Sequence, residues 1–340
     1  MSGITVRFVT LGLLAALGTA VAPVGAVADG YAGKRITFNV GFGAGGGYDL
    51  FARFAAEHLG RHIPGSPTVV VQNVPGAGGM RLANQLYNVH TGSAVHLGMV
   101  SQVVATEQVI GGPSIEYDAN RFNWIGRIAP NVAVSFTWHT SPVKTIEDAM
   151  TTEAIMGGTG PGAASVVAPT MMNATLGTKF KIVRGYGSMG EAMLAMEQGE
   201  VNGALLGWSA LKSSKPEWVS NNRLNILVQH ALSRHPELPD VPTTPELAKN
   251  EQDRQLLEFI FSSADLGFSV FVPPGVDGAY VKTLRQAFDA MANDPKTLED
   301  ARKRNVEFNP MSGEKIQELV KGTSDVPPEV VARARKIYGR

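Results

Sequence analysis

The 340-residue sequence contains no cysteine. This absence excludes a disulfide framework, a thiolate catalyst and any metal site that uses cysteine ligands. It also excludes a lipid-anchored export signal, because that signal needs a cysteine to carry the lipid. The remaining classes of function are those that require no thiol chemistry.

An excess of charge of either sign is also absent. The sequence has 30 lysine and arginine residues against 30 aspartate and glutamate residues, and no long run of basic residues stands out. Nucleic acid and anionic membrane surfaces attract proteins through clustered basic residues. We therefore expect neither of them as a partner.

Long apolar runs are confined to the N-terminus. Arg7 precedes the apolar stretch 8–22, and Pro23 and the small-residue pattern 26–28 follow it. This order is typical of a secretory signal peptide, and the stretch is shorter than the ~20 residues of a membrane anchor, the alternative interpretation. We predict a signal peptide over residues 1–28, cleaved near Ala28, and a soluble protein in the bacterial periplasm.

Glycine is abundant, with 38 residues, and it is concentrated in short loops. Loops 41–47 and 75–79 each follow a strand-like segment and precede a helical pattern, and loops 157–162 and 185–188 repeat this plan in the second half. Alternating strands, short loops and helices are typical of parallel α/β sheets. The sequence therefore predicts an α/β fold.

A strand-like stretch at 132–139 separates the two groups of units. We predict a two-lobed fold of the periplasmic binding protein type (Venus-flytrap, type II-like) with two crossing segments between the lobes. Domain I comprises residues 29–131 and 255–340, and domain II, residues 132–254, is inserted between them. Two amphipathic helices, at about 276–292 and 313–322, are expected to finish the chain.

The glycine loops are suited to holding an anion. A loop without Cβ atoms lets backbone N–H groups approach a ligand, and a helix start has free N–H groups and a partial positive charge. Tight packing of strand against helix is the alternative role for any single loop. Four such loops at the carboxyl ends of strands favour a binding cleft.

Two features near the first loop leave alternatives open. Residues 41–46 match the dinucleotide pattern G-x-G-x-x-G, but Gln72 and Asn73 stand where that fingerprint needs an acidic residue for the ribose. We therefore expect no nucleotide cofactor. Asp49, at the start of the first helix, is either a helix-start charge or a ligand contact.

Catalytic motifs are incomplete. Residues 207–211 resemble a nucleophile elbow, but Leu211 replaces the final glycine. A secreted serine hydrolase of small esters, with Ser209 or Ser188 as nucleophile, is kept as the alternative function, and a scaffold role is a third. Metal-binding H-E-x-x-H and phosphate-binding P-loop motifs are missing, so no metal or catalytic residue is expected. We predict that His58 and His62 face solvent at a helix end.

Five segments occur in the order found in a known family. Segments 40–49, 69–79, 159–162, 199–202 and 239–243 resemble the signatures of the tripartite tricarboxylate transporter substrate-binding proteins, the Bug family. The resemblance extends from about residue 36 to the C-terminus. It implies a non-enzymatic periplasmic receptor whose two lobes close on a carboxylate held by backbone N–H groups.

The resemblance also implies the site and the partners. The ligand would be a di- or tricarboxylate or an aromatic carboxylate, passed to the permease subunits of such a transporter or to a sensor kinase by a monomeric receptor. Tyr186 and Trp208, which make an aromatic ligand plausible, could equally belong to the core. The ligand-binding candidates are Phe42, Ala44, Gly45, Gly46, Asp49, Gly76, Ala77, Gly78, Gly79, Gly160, Gly162, Ala163, Ser165, Tyr186 and Trp208.

Several positions depart from the family pattern. Ala163 replaces a common serine or threonine and thus lacks a hydroxyl donor, and Val166 replaces a histidine. Asn202 replaces the acid of the G-E-V-D motif. Residues 185–187 read Gly-Tyr-Gly where the family usually has Tyr-Lys-Gly. The fold and class are unaffected by these changes, but they leave the identity of the carboxylate open.

Overall fold

A computed structural model describes residues 31–339 except 91, 94 and 113, together with residues 1 and 3. The predicted signal peptide and its cleavage site otherwise lie outside the described residues. Within the described part, the strands are β1 (Arg35–Val40), β2 (Thr68–Asn73), β3 (His96–Met99), β4 (Asn123–Arg127), β5 (Ala133–Trp138), β6 (Ala154–Gly157), β7 (Phe180–Val183), β8 (Gly203–Gly207), β9 (Leu224–His230), β10 (Ser269–Val272) and β11 (Met311–Ser312).

The α-helices of the described residues alternate with these strands over much of the chain. They are α1 (Gly47–Leu59), α2 (Met80–Asn88), α3 (Val104–Ile110), α4 (Ile146–Thr151), α5 (Ala164–Thr175), α6 (Met189–Glu197), α7 (Trp208–Ser214), α8 (Pro216–Ser220), α9 (Glu251–Phe261), α10 (Gly278–Asn293), α11 (Pro295–Lys303), α12 (Gly313–Gly322) and α13 (Pro328–Tyr338).

The strands form two sheets, one in each lobe. The first sheet has the order β2-β1-β3-β10-β4-β11, and the second has the order β7-β6-β8-β5-β9. Pairs within β2-β1-β3 and β7-β6-β8 are parallel, whereas β10, β4, β11, β5 and β9 pair antiparallel with their neighbours. The two-lobed α/β prediction is confirmed.

Antiparallel strands extend both sheets beyond the parallel units that the sequence pattern predicts. A parallel neighbour requires a crossover connection on the same sheet. Strands β5 and β10 instead follow the two passages between lobes, from β4 to β5 and from β9 to β10. They therefore do not belong to the repeating strand–loop–helix units that the sequence pattern predicts.

Alternation of apolar residues explains the buried faces. In β1, Ile36, Phe38 and Val40 are fully buried, as the period of two residues in a strand requires. In α1, Phe51 and Leu59 face the same core, and the ring of Phe51 stacks on Phe268 with centroids 3.8 Å apart. The packing fixes the start of α1 against the sheet.

The C-terminal region is more helical than the sequence pattern indicated. The two helices predicted there are α10 and α12, but α11 and α13 are present as well. Helix α13 packs on α9, α3 and α5, so the chain end contacts elements that follow strands of both sheets. The predicted boundary at 254/255 falls inside α9, and the domain limits stay a prediction.

The prediction that His58 faces solvent was wrong. His58 is buried on α1, with its Nε2 atom 2.8 Å from a carboxylate oxygen of Asp300. The ring of Phe54, one turn earlier, packs beside it. Helix α11 covers this face of α1, and that helix was not predicted.

Within the part of the chain that the structure describes, no helix combines the length and the apolar composition needed to cross a membrane.

Candidate functional site

Two helix starts, one from each lobe, meet at one cavity. Helix α1 follows Gly46 and helix α5 follows Ala163, and neither residue has a side chain that caps the first turn. The first N–H groups of a helix have no partner within the helix, and they carry its partial positive charge. These two helix starts therefore present free donors to the same small space.

In this closed form the cavity has a volume of about 40 Å³, room for roughly three water molecules. A ligand with more atoms than that requires the lobes to stand slightly further apart around it. The described residues that line it carry no charged side chain. They are Phe42, Gly46, Gly47, Tyr48, Asn131, Thr159, Ala163, Ala164, Ser165, Met189, Leu205, Leu206, Gly207 and Phe268.

Hydroxyl groups lie beside the start of α5. The Thr159 and Ser165 hydroxyl oxygens are 3.4 Å apart and both residues are buried, and the backbone N–H of Thr159 donates to the Ser165 hydroxyl at 3.2 Å. Hydroxyls donate as well as accept hydrogen bonds. A carboxylate at the helix starts would thus find O–H donors in addition to backbone N–H groups.

The Tyr48 hydroxyl is anchored at the other helix start. It accepts a hydrogen bond from the backbone N–H of Gln102 at 2.8 Å and another from the side chain of Asn131. Burial raises the pKa of Tyr48 above its ordinary value, although these hydrogen bonds oppose the shift. The ring is therefore held as a neutral wall of the cavity, stacked on Phe42 with centroids 4.5 Å apart.

A larger, more open groove adjoins the cavity and shares Phe42 and Thr159 with it. Arg184 is the only charged residue among the described residues that line this outer groove. The remaining lining comes from the glycine loops of both lobes and from Tyr186: Gly41, Pro75, Gly76, Ala77, Gly78, Gly160, Pro161, Gly185 and Gly187.

The lobes touch each other at glycines. The backbone N–H of Gly43 donates across the cleft to the carbonyl of Gly187 at 2.9 Å. A Cβ atom placed on Gly160 would lie 2.2 Å from the backbone nitrogen of Gly78, and one placed on Gly78 would lie 2.3 Å from that of Ala163. Such distances are far inside van der Waals contact, so the structure is a closed form that glycine makes possible.

Asp49 shapes the first loop from inside the protein. Its carboxylate accepts hydrogen bonds from the backbone N–H of Gly45 at 3.1 Å, from Asn73 at 2.9 Å and from Arg53. Burial opposes ionisation of this carboxyl, but the hydrogen bonds from Arg53, Asn73 and Gly45 outweigh it and lower its pKa. These hydrogen bonds support a role for Asp49 in holding the loop in place. Asp49 does not line the cavity.

Replacing Asp49 with asparagine is expected to lower the free energy of unfolding by about 1–2 kcal/mol, because an amide N–H₂ would face the donors of the loop. Urea unfolding at pH 7 measures the change. The matched control is Arg53→Gln, which removes a half-exposed ion pair with Asp49 and an exposed hydrogen bond to Asn73 and should cost at most about 0.5 kcal/mol. Equal losses in both variants would contradict this role.

The structure places the predicted site residues in three groups. Phe42, Gly46, Ala163 and Ser165 line the cavity. The outer groove contains, besides Phe42, Gly76, Ala77, Gly78, Gly160 and Tyr186. Neither lining includes Ala44, Gly45, Asp49, Gly79, Gly162 or Trp208.

The two predicted aromatic contacts differ in position. Tyr186 is half-buried in the outer groove. Trp208 is buried, and its indole N–H donates to a carboxylate oxygen of Glu237 at 2.6 Å while Lys212 lies over its ring. Its polar edge is thus bound within the second lobe rather than turned toward the cavity.

The two serines of the hydrolase alternative have structural bonds. The Ser209 hydroxyl accepts from the backbone N–H of Glu307 at 3.0 Å, and the Ser188 hydroxyl accepts from that of Glu191 at the start of α6. Nucleophilic catalysis requires a base in hydrogen-bond reach of the hydroxyl. Ser135 does bond a histidine, His230, but both residues are buried in the core of the second lobe.

Sequence reasoning missed several cavity residues. Tyr48 and Thr159 lie inside the recognised loop segments, so the sequence motifs could have identified them as site residues. Asn131 and Phe268 come from the two passages between lobes, far apart in the chain, and Leu206 comes from the buried strand β8. Only the closing of the two lobes brings this last group together.

Two α/β lobes with a cavity between them, lined by a helix start from each, define a two-lobed solute-binding protein. A family model described as the tripartite tricarboxylate transporter family receptor matches residues 51–333, and the chain belongs to this family. Its members are described as transporter receptors, as the resemblance implied.

Relatives and solved structures agree with this assignment. The chain is 26% identical over 303 residues to the "UPF0065 protein in gbd 5'region" of Cupriavidus necator, covering 86% of this chain and 85% of the relative. It is similar in fold to the periplasmic binding protein BugD, with a TM-score of 0.71, 21% identity and coverage of 90% and 98% of the two chains. A Rhodopseudomonas palustris protein solved with adipate has a TM-score of 0.68 and 19% identity, with the same coverage.

Proposed function

We propose that the protein captures a small carboxylate between its lobes and delivers it to the membrane permease of a tripartite tricarboxylate-type transporter. The observation that carries this proposal is the meeting of the uncapped starts of α1 and α5 at one cavity. Two positive helix ends and their free N–H groups favour an anion without a basic side chain. The N–H groups of Gly46, Gly47, Ala164 and Ser165 and the nearby hydroxyls would hold the carboxylate.

The family and one solved neighbour support the carboxylate class. The chain belongs to a family of transporter receptors, and the similar Rhodopseudomonas palustris protein was solved with adipate, a dicarboxylate. We further propose that the receptor acts as a monomer, with one ligand per chain. Closure of the lobes on a ligand would couple binding to a change of shape that a permease can recognise.

Thermal unfolding with a panel of carboxylates and their uncharged amides tests this function. A ligand that binds only the native state at 100 times its Kd should stabilise it by about 2.7 kcal/mol, which shows as a higher melting temperature. We expect acids to raise it and the matching amides not to do so. Failure of every acid to raise the melting temperature would contradict the function.

The Ser209→Ala variant should keep its ligand binding, whereas loss of a detected ester hydrolysis in that variant would favour the hydrolase.

A further inference from the structure

The first lobe gives the cavity an aromatic wall. Phe42 stacks on Tyr48, and Tyr48 meets Phe268 edge to face with ring centroids 5.2 Å apart. Phe42 and Phe268 are buried and the Tyr48 hydroxyl is already hydrogen-bonded. The rings therefore offer apolar faces to a ligand rather than polar groups.

The second lobe faces these rings with aliphatic side chains. Leu205, Leu206 and Met189 complete the lining, and the described lining residues carry no charge. Free backbone donors are available at the two helix starts, where one carboxylate can be held. A second ionised group on the ligand would be placed against apolar side chains, which is strongly unfavourable without a partner.

Asn131 adds one polar atom that the protein leaves unused. Its side chain hydrogen-bonds to the Tyr48 hydroxyl, but its amide oxygen is buried with no hydrogen-bond partner among the described residues. Asn131 lines the cavity, and Gly207 leaves room for this oxygen, because a Cβ atom at that position would lie only 2.0 Å from it. A buried acceptor of this kind is costly unless a ligand or water supplies a donor.

We propose that the ligand is a monocarboxylate with an uncharged, largely apolar body and one hydrogen-bond donor that reaches the amide oxygen of Asn131. This inference rests on the proposed function, since it assigns the chemistry of the same cavity. Its competitor is a dicarboxylate whose second carboxylate extends into the outer groove and pairs with Arg184, which is exposed there.

Calorimetric titration of the purified protein with matched acids distinguishes these two ligands. The pairs are benzoate against terephthalate and hexanoate against adipate, with benzamide as the uncharged control. We expect each monocarboxylate to bind at least about tenfold more tightly than its dicarboxylate partner. We also expect at least one of the three hydroxybenzoate isomers to bind more tightly than its methoxy analogue, which lacks the donor.

Two variants assign the residues. In Asn131→Ala, the ratio of the affinities for the best hydroxybenzoate and for its methoxy analogue should fall about tenfold, a comparison that a general weakening of the cavity would leave unchanged. If this variant does not fold, the hydroxy and methoxy pairs on the natural protein still decide the point. In Arg184→Gln, the affinity for every monocarboxylate should be unchanged.

Three outcomes would overturn the inference. Tighter binding of the dicarboxylates, lost in Arg184→Gln, would assign the outer groove to a second carboxylate and leave the proposed function intact. Equal binding of hydroxy and methoxy analogues would remove the role of Asn131. Binding of none of these acids would overturn the proposed function as well.

Discussion

Replacing Gly160 with alanine is expected to stop the lobes from closing and to weaken carboxylate binding by about 100-fold, because affinity falls with the fraction of the closed form. The added Cβ would lie 2.2 Å from the backbone nitrogen of Gly78 and 2.6 Å from the carbonyl carbon of Ala77. Backbone atoms of a packed loop cannot turn aside as a flexible side chain can. The open form should be unaffected, since the clash exists only between lobes.

Gly160 is a better test than the neighbouring glycines. Gly78 has a φ of +67°, so alanine there would also strain the loop by itself. The matched control is Gly322→Ala at the exposed end of α12, where an added Cβ would meet no atom within 4 Å. That variant adds the same methyl group away from the cleft and should bind ligand like the natural protein.

The absence of native cysteines makes the closure measurable. Spin labels on Glu147→Cys in α4 and Lys282→Cys in α10 would report the distance between exposed helices of the two lobes. We expect a shorter distance with ligand in the natural protein and in Gly322→Ala, and no shortening in Gly160→Ala. Ligand-induced shortening in Gly160→Ala would refute the role of this glycine contact.

Acidification is expected to destabilise the protein through His230. This histidine is buried in the second lobe, with Nε2 2.8 Å from the Ser135 hydroxyl and Nδ1 2.7 Å from the Thr244 hydroxyl. Burial lowers its pKa to about 3. The unfolded chain takes up a proton near pH 6.5 and the native chain does not, so stability falls as the pH drops from 6.5 toward 3.

Between pH 7 and pH 5, protonation of His230 in the unfolded chain should lower the free energy of unfolding by about 2 kcal/mol. Urea unfolding at both pH values would measure it. His230→Gln should remove most of this difference, even if the variant is less stable at pH 7. His139→Gln is the control, because this half-buried histidine bonds Arg223 near the surface. An undiminished difference in His230→Gln would rule out His230 as its source.

The regular units of the fold could be predicted from the sequence because each carries its own local pattern. Alternation at 35–40 and the helical face after Asp49 correspond to β1 and α1. Strand β3 was missed because His96–Met99 is too short to alternate visibly and contains Gly98. Helix α11 was missed because few of its residues are buried, so its apolar signal is weak.

The candidate site could be predicted only where one loop contains several of its parts. The loops after β1 and β6 were recognised as anion-binding because glycine and a helix start occur together. The role of Asp49 required knowing that Asn73 and Gly45 supply donors to it. The aromatic ring of Trp208 makes it a candidate ligand contact in the sequence, but its indole N–H bonds Glu237, 29 residues further along the chain. No local pattern reports such partners.

The position of β10 in the first sheet affects the order in which the chain can fold. This strand lies between β3 and β4, which do not pair with each other, and it is synthesised only after all the strands of the second sheet. All strands of the second sheet end by residue 230. As the chain emerges from its N-terminus, the later lobe can therefore complete its sheet while the earlier lobe still waits for residues 269–272.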